Sequence, residues 1–259
     1  MPSARTLSLL ALAVAVLFPA EVFGDQEKGA GGLVWERPEP GLTQAREKRQ
    51  PIFLVVPGKE PESFWATLES ELFRSSRIRK HLRSFVPITV PVPAPKQVQE
   101  ILGSVGNSSL LVLLDFRGKI LQRWESKTPS RGVFTRELKS ARLRNHQLAQ
   151  RYADVEKYLE RSRYALKIKK VRESVLAWLK AEEVPLPPDS EPAHKRVEVR
   201  SDLDQIYQKY LGEGSKLEEQ GKWSEAVLRY EKMIKDFPFP KKIRELRRKI
   251  TELWREMGG

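Results

Sequence analysis

The chain contains no cysteine. That absence excludes disulfides, thiolate nucleophiles and sulfur ligands for zinc or iron, so packing alone must hold the protein together. Histidine is almost as scarce. His81, His146 and His194 lie far apart, and none has a second histidine at a metal-binding spacing. There is no Gly-x-Ser-x-Gly elbow, no Walker loop and no Gly-x-Gly-x-x-Gly. No cofactor, no metal and no catalytic residue are expected, and carboxylates such as Glu69 and Glu71 read as solvated helix charges. Long apolar runs are also missing, with one exception near the start.

That exception spans residues 7–20. It follows Arg5 and precedes Val22, Phe23 and Gly24, after which the polar Asp25 begins. It is shorter than the ~20 apolar residues that a membrane-spanning helix needs. The layout is that of a secretory signal peptide over residues 1–24, with an uncleaved anchor as the alternative. No later segment is apolar enough to cross a membrane. The expected location is therefore outside the cytoplasm, secreted or periplasmic. Cleavage would remove Arg5 and Glu21 together and leave the net charge at +13. A basic protein of this kind stays soluble and is weakly attracted to anionic surfaces.

After the leader, strands and helices alternate over residues 25–145. A short strand is expected at 33–35, a short helix at 42–48 and a buried apolar strand at 50–56. A helix then starts near Glu62, with Glu62 and Ser63 suited to its N-terminus and Phe64, Trp65, Leu68, Leu72 and Phe73 at helical spacing. A second helical piece at 76–84 leads to a strand at 85–92, whose prolines favour an edge. A helix at 96–102 and a hairpin of 110–114 with 119–124 follow, and a further helix begins near Val133.

A β-α-β half followed by an α-β-β-α half, carrying Gln50-Pro-Ile-Phe-Leu-Val-Val56, Glu69-Ser-Glu-Leu-Phe73, Phe85-Val-Pro-Ile-Thr-Val90 and Leu111-Val-Leu-Leu-Asp115, resembles the secreted thioredoxin-like proteins. The resemblance implies a thioredoxin-like α/β domain. It places the two redox cysteine positions of that family on Glu62 and Trp65, and its cis-proline position on Ser109. Disulfide exchange needs a thiolate, and none is present. A cis bond before a residue other than proline costs about 3 kcal/mol, so Ser109 is expected to follow a trans bond. The domain is expected to be redox-inactive, with Trp65 either in the core or on a contact patch.

Beyond Trp124 the strand signals stop. Leu148, Tyr152, Val155, Leu159 and Leu166 form one apolar stripe, and Val171, Val175, Trp178 and Leu179 another. Residues 146–183 read either as a worn helical hairpin turning near 168–170 or as one long helix. A proline-rich linker is expected over 184–200. In the last segment, 201–259, Gly214, Leu217, Gly221, Trp223, Ala226, Tyr230, Met233 and Pro238 resemble a tetratricopeptide repeat. That resemblance implies an antiparallel helix pair turning at Gly221, capped by the amphipathic helix bearing Ile243, Leu246, Ile250, Leu253 and Trp254. It also implies a protein-contacting face, near Tyr207, Tyr210 and Trp223.

The fold class expected is thus a thioredoxin-like α/β domain followed by an all-α, tetratricopeptide-like module. The function expected is non-catalytic protein–protein contact outside the cytoplasm, as an adaptor, scaffold or chaperone-like binder. Two alternatives stand beside it. One is electrostatic binding of anionic envelope polymers or lipid head groups through basic clusters: Arg74, Arg77, Lys80 and Arg83, or Lys241, Lys242, Arg244, Arg247, Arg248 and Lys249. The same clusters also read as solvated helix faces of mixed charge. The other is a divergent member of a thiol-redox system acting without thiols of its own. Nucleic acid is not an expected partner, since no aromatic-lined basic sheet motif is present.

Overall fold

The computed structural model describes residues 30–103, 106 and 108–258; the expected signal segment lies outside them. The chain divides into two compact units, Met1–Ala141 and Arg142–Gly259.

The first unit is built on a four-stranded mixed sheet. Strands β1 (Ile52–Val56), β2 (Val86–Thr89), β3 (Leu110–Leu114) and β4 (Ile120–Glu125) lie in the order β2-β1-β3-β4. β1 runs parallel to β2 and antiparallel to β3, and β3 and β4 form the hairpin. The apolar runs at 52–56 and 110–114 become the two central strands, buried on both faces as continuous hydrophobic strands must be. Their side chains alternate between two cores. Phe53, Val55, Leu111 and Leu113 face helices α2 (Pro61–Leu68), α3 (Ser76–Leu82) and the start of α5 (Arg131–Lys167). Ile52, Leu54, Val112 and Leu114 face α1 (Pro38–Lys48) and α4 (Lys96–Leu102). The result is a sheet with helices on each face.

β2 is an edge strand, where Pro87 leaves no ladder bond unmade. Its outer edge is covered. The Glu36 amide donates to Pro87 O at 2.9 Å and the Thr89 amide to Glu36 O at 3.1 Å. No strand forms over the expected 33–35; Leu33 and Glu36 are isolated bridge residues, and Glu36 bridges Ile88. After α2, residues Glu69–Phe73 form a π-helical turn rather than more α-helix. Its Glu69 side chain accepts the Gly31 amide at 2.8 Å, tying the segment before α1 to the unit.

The second unit is helical. α5 continues into it as one 37-residue helix, so the expected boundary at 145/146 falls within a continuous helix. It stops at Lys167, where Lys169 takes a left-handed conformation (φ 59°) and the Lys170 amide donates back to Ala165 O. α6 (Val171–Glu183) follows, clamped to α5 by the buried hydroxyls of Ser162 and Ser174, 2.8 Å apart. The chain over 168–170 thus turns rather than continuing as a single helix through Leu179.

The proline-rich stretch is shorter than the expected 184–200. α7 (Glu191–Glu219) begins at Glu191 because Pro192 sits in its first turn, where a missing N–H costs nothing. Arg196 on α7 donates to the carbonyls of Ala181 and Val184, satisfying the end of α6. α8 (Trp223–Asp236) and α9 (Pro240–Gly258) complete the unit. Val155, Val175, Trp178, Leu203, Tyr230 and Phe237 are among the residues of its shared core.

Candidate functional site

The junction between β1 and α2 is where the resemblance places redox chemistry. Pro61 opens α2, and no side chain caps it; Glu62 stands exposed in the first turn, so the expected Glu62/Ser63 cap does not form. Glu62 still interacts favourably with the positive end of the helix. Trp65 is half-buried, with its ring 5.0 Å from that of Trp35 in an edge-on contact and packed on the Phe53 core. Ser109 follows a trans peptide bond. Its hydroxyl donates to Pro57 O at 2.8 Å, and its carbonyl accepts the Ser126 amide at 3.0 Å. Register explains the first contact, since Val56 pairs with Leu110 and so sets Pro57 opposite Ser109. Of the three positions, Trp65 is engaged in packing, Ser109 in internal hydrogen bonds and Glu62 is exposed, and none bears a thiol.

The helical unit has a closer-knit arrangement. Gly214 on α7 is buried beneath the ring of Tyr230 on α8, where a Cβ would overlap the ring. Gly221 adopts φ 72° in the turn between the two helices, a conformation glycine takes without strain. Ala226 is fully buried, Leu217 is half-buried, and Pro238 follows the end of α8. The Tyr230 hydroxyl donates to the Glu218 carboxylate. Burial first, and then this hydrogen bond, push the Tyr230 hydroxyl up to about 12.

Of the expected contact residues, Tyr207 is buried and the other two are half-buried. Tyr207 is 4% exposed, its ring 5.3 Å from Phe237 and its face covered by the Lys242 ammonium at 3.8 Å. Tyr210 is half-buried under the Arg229 guanidinium, 3.9 Å from its ring, and Trp223 is half-buried in the same core. Helical spacing alone does not separate an inward aromatic from an outward one when a third helix, α9, covers the pair.

The exposed large apolar residues of α8 and α9 are Leu228 (66%) and Trp254 (58%). Each stands one position past a buried neighbour, Val227 and Leu253. A step of one residue turns a helix by about 100°, so adjacent residues do not share a face. For Leu228, flanked at helical spacing by Ser224, Glu225, Glu231 and Lys232, that position was legible in the sequence; Trp254 stands four residues past Ile250, and its exposure was not.

Charge is handled differently in the two basic clusters. On α9, Lys242 pairs with Asp204, Lys249 with Glu218, and Arg248 with Glu252. Burial raises the Asp204 pKa, but hydrogen bonds from Lys242 and Arg200 outweigh it and hold the carboxyl below its ordinary value. On α3 and its flanks, by contrast, Arg74, Arg77, Lys80 and Arg83 are all exposed, and no acidic residue stands in the first turn of α3. Among the described residues no group of side chains has the makings of a metal site, and no helix is long and apolar enough to cross a membrane.

No protein-family model matches the chain, and no curated protein matches it in sequence.

Proposed function

We propose that this protein is exported and acts without catalysis, as an adaptor, scaffold or chaperone-like binder of another protein. In this reading a thioredoxin-like domain without redox chemistry carries a tetratricopeptide-like helical module. The strand order β2-β1-β3-β4, with α2 leaving the end of β1, supports the first assignment. The Gly214–Tyr230 contact, the turn at Gly221 and buried Ala226 support the second. α7 is 29 residues long, longer than a single repeat requires, and extends back to contact α6.

The observation that carries protein contact is the exposure of Leu228 and Trp254 on α8 and α9, whose other aromatics are buried or packed against the core. Tryptophan at a surface supplies large contact area at low entropic cost and is enriched among residues that dominate binding. The test is capture of partners from the extracytoplasmic fraction of the protein's own source, comparing the chain from residue 25 with its Leu228→Ser/Trp254→Ser variant. A discrete protein retained at moderate salt and lost from the variant is the expected result. Equal retention by both would overturn the assignment of the contact to this surface. N-terminal sequencing of the exported protein is expected to begin at Asp25; a chain beginning at residue 1 would contradict cleavage.

A further inference from the structure

Four cations of the first unit converge on a hollow. A surface concavity of about 380 Å³ lies between the start of α3 and the first turns of α5. Its charged lining is Arg77, Arg131, Arg136 and Lys139, and no carboxylate lines it. No ion pair or side-chain hydrogen bond joins Arg77 or Lys139 to another described residue. Arg136 meets Glu137 only through Nε, at 3.1 Å, which leaves both terminal nitrogens of its fork available.

Arg131 is already oriented. Its Nε donates to Glu71 O at 2.7 Å and its Nη2 to Ser70 O at 2.8 Å. Those carbonyls belong to the π-helical turn, so the irregular backbone at Glu69–Phe73 is what fixes this guanidinium at the rim. A group held in place before the ligand arrives loses little entropy on binding. Ser75, on the opposite wall, accepts the Ile78 amide through Oγ and keeps its hydroxyl hydrogen free to donate.

Four cations in one hollow repel each other, and an anion with several adjacent charges relieves that repulsion more than a single carboxylate does. Three of the four are arginines, whose forks match pairs of phosphate oxygens. The volume exceeds that of one phosphate several-fold, since a water-sized group takes about 30 Å³. No aromatic side chain lines the hollow, so it offers no stacking platform for nucleic-acid bases. We propose that this hollow binds a compact polyphosphate, two or more adjacent phosphate groups, whether free or borne on a lipid head group.

The test uses two probes and two charge-matched variants of the chain from residue 25. Tripolyphosphate binding is measured by titration calorimetry, and lipid binding by flotation of phosphatidylcholine vesicles with and without phosphatidylinositol bisphosphate. Arg77→Gln/Lys139→Gln removes two cations of the hollow; Lys241→Gln/Arg247→Gln removes two exposed cations from α9. All four residues are exposed, so folding is expected to be unchanged, and thermal melts check it. The expected result is one-to-one binding of tripolyphosphate, of the bisphosphate vesicles, or of both, weakened about tenfold by the first variant, as the loss of two exposed charge contacts predicts. The α9 variant is expected to bind as the parent does. Tripolyphosphate alone would identify a free ligand, and vesicles alone a head group. No binding of either probe, or equal weakening by both variants, would overturn the proposal and reduce the effect to net charge.

Discussion

The ring of Tyr230 occupies the space that a side chain on Gly214 would need, so α7 and α8 meet backbone against aromatic face. This contact fixes how closely the two helices approach. Gly212, two residues away on the same helix, has open space around the equivalent direction. The two glycines therefore predict opposite outcomes. Gly214→Ala is expected to destabilise the protein by about 1–3 kcal/mol through overpacking. Gly212→Ala is expected to stabilise it by about 0.5–1 kcal/mol, since it lowers the entropy cost of helix formation and touches nothing. Urea unfolding of both variants decides it. Similar stabilisation by both would show that the helices do not meet at Gly214.

Acid should act through Asp204. Its carboxyl lies below its reference value of 3.8 in the folded protein. A depressed carboxyl contributes stability above the unfolded value, and that contribution is lost as pH falls through the folded one. Asp204→Asn is therefore expected to lower the melting temperature at neutral pH and to approach the parent as pH falls below the ordinary carboxylate value. A melting difference that stays constant from neutral to acid pH would show that the Lys242 and Arg200 contacts do not govern this carboxyl.

Alkali should act through Tyr230. Its hydroxyl titrates near 10 when unfolded and at about 12 when folded. Stability from this group is fully present below pH 10 and is lost as pH rises from there toward 12. Tyr230→Phe removes that loss. The variant's stability is expected to decline less than the parent's over this window, read as the difference between their unfolding midpoints. Parallel decline would place the Tyr230 hydroxyl in water rather than against Glu218.

The thioredoxin-like reading also makes a constructive prediction. Glu62 and Trp65 lie three residues apart in the first turn of α2, just beyond the end of β1. Replacing both with cysteine, Glu62→Cys/Trp65→Cys, is expected to yield an intramolecular disulfide on mild oxidation. The parent, having no sulfur there, is expected to leave a disulfide substrate unreduced. Mass spectrometry of the oxidised variant is the check. Two free thiols, or disulfides only between chains, would mean that the turn lacks the geometry its position implies.

The strands and their order of appearance were legible because β1 and β3 are unbroken apolar runs of five residues, too short for a buried helix and suited to a doubly covered sheet strand. The edge position of β2 was legible in Pro87. The turn after Lys167 was harder to read, since no glycine marks it and Lys169 takes the left-handed conformation instead. The start of α7 was obscured by Pro192, which breaks a helix interior but suits a first turn. Tyr207 was misjudged as a contact residue for a different reason. Whether Tyr207 faces out depends on Phe237 and Lys242, which come from α8's end and α9, and local periodicity does not contain that information. The basic hollow joins residues more than fifty positions apart, Arg77 and Arg131 among them, and only the fold brings them together.

The most direct test of protein contact is site-specific photo-crosslinking in the native compartment. A photoreactive side chain is placed at Leu228, at Trp254 and, as a comparison, at the exposed Glu62. The account predicts a discrete protein adduct from positions 228 and 254 and none from 62. Adducts from position 62 alone, or none from any of the three, would contradict a binding surface on the helical unit.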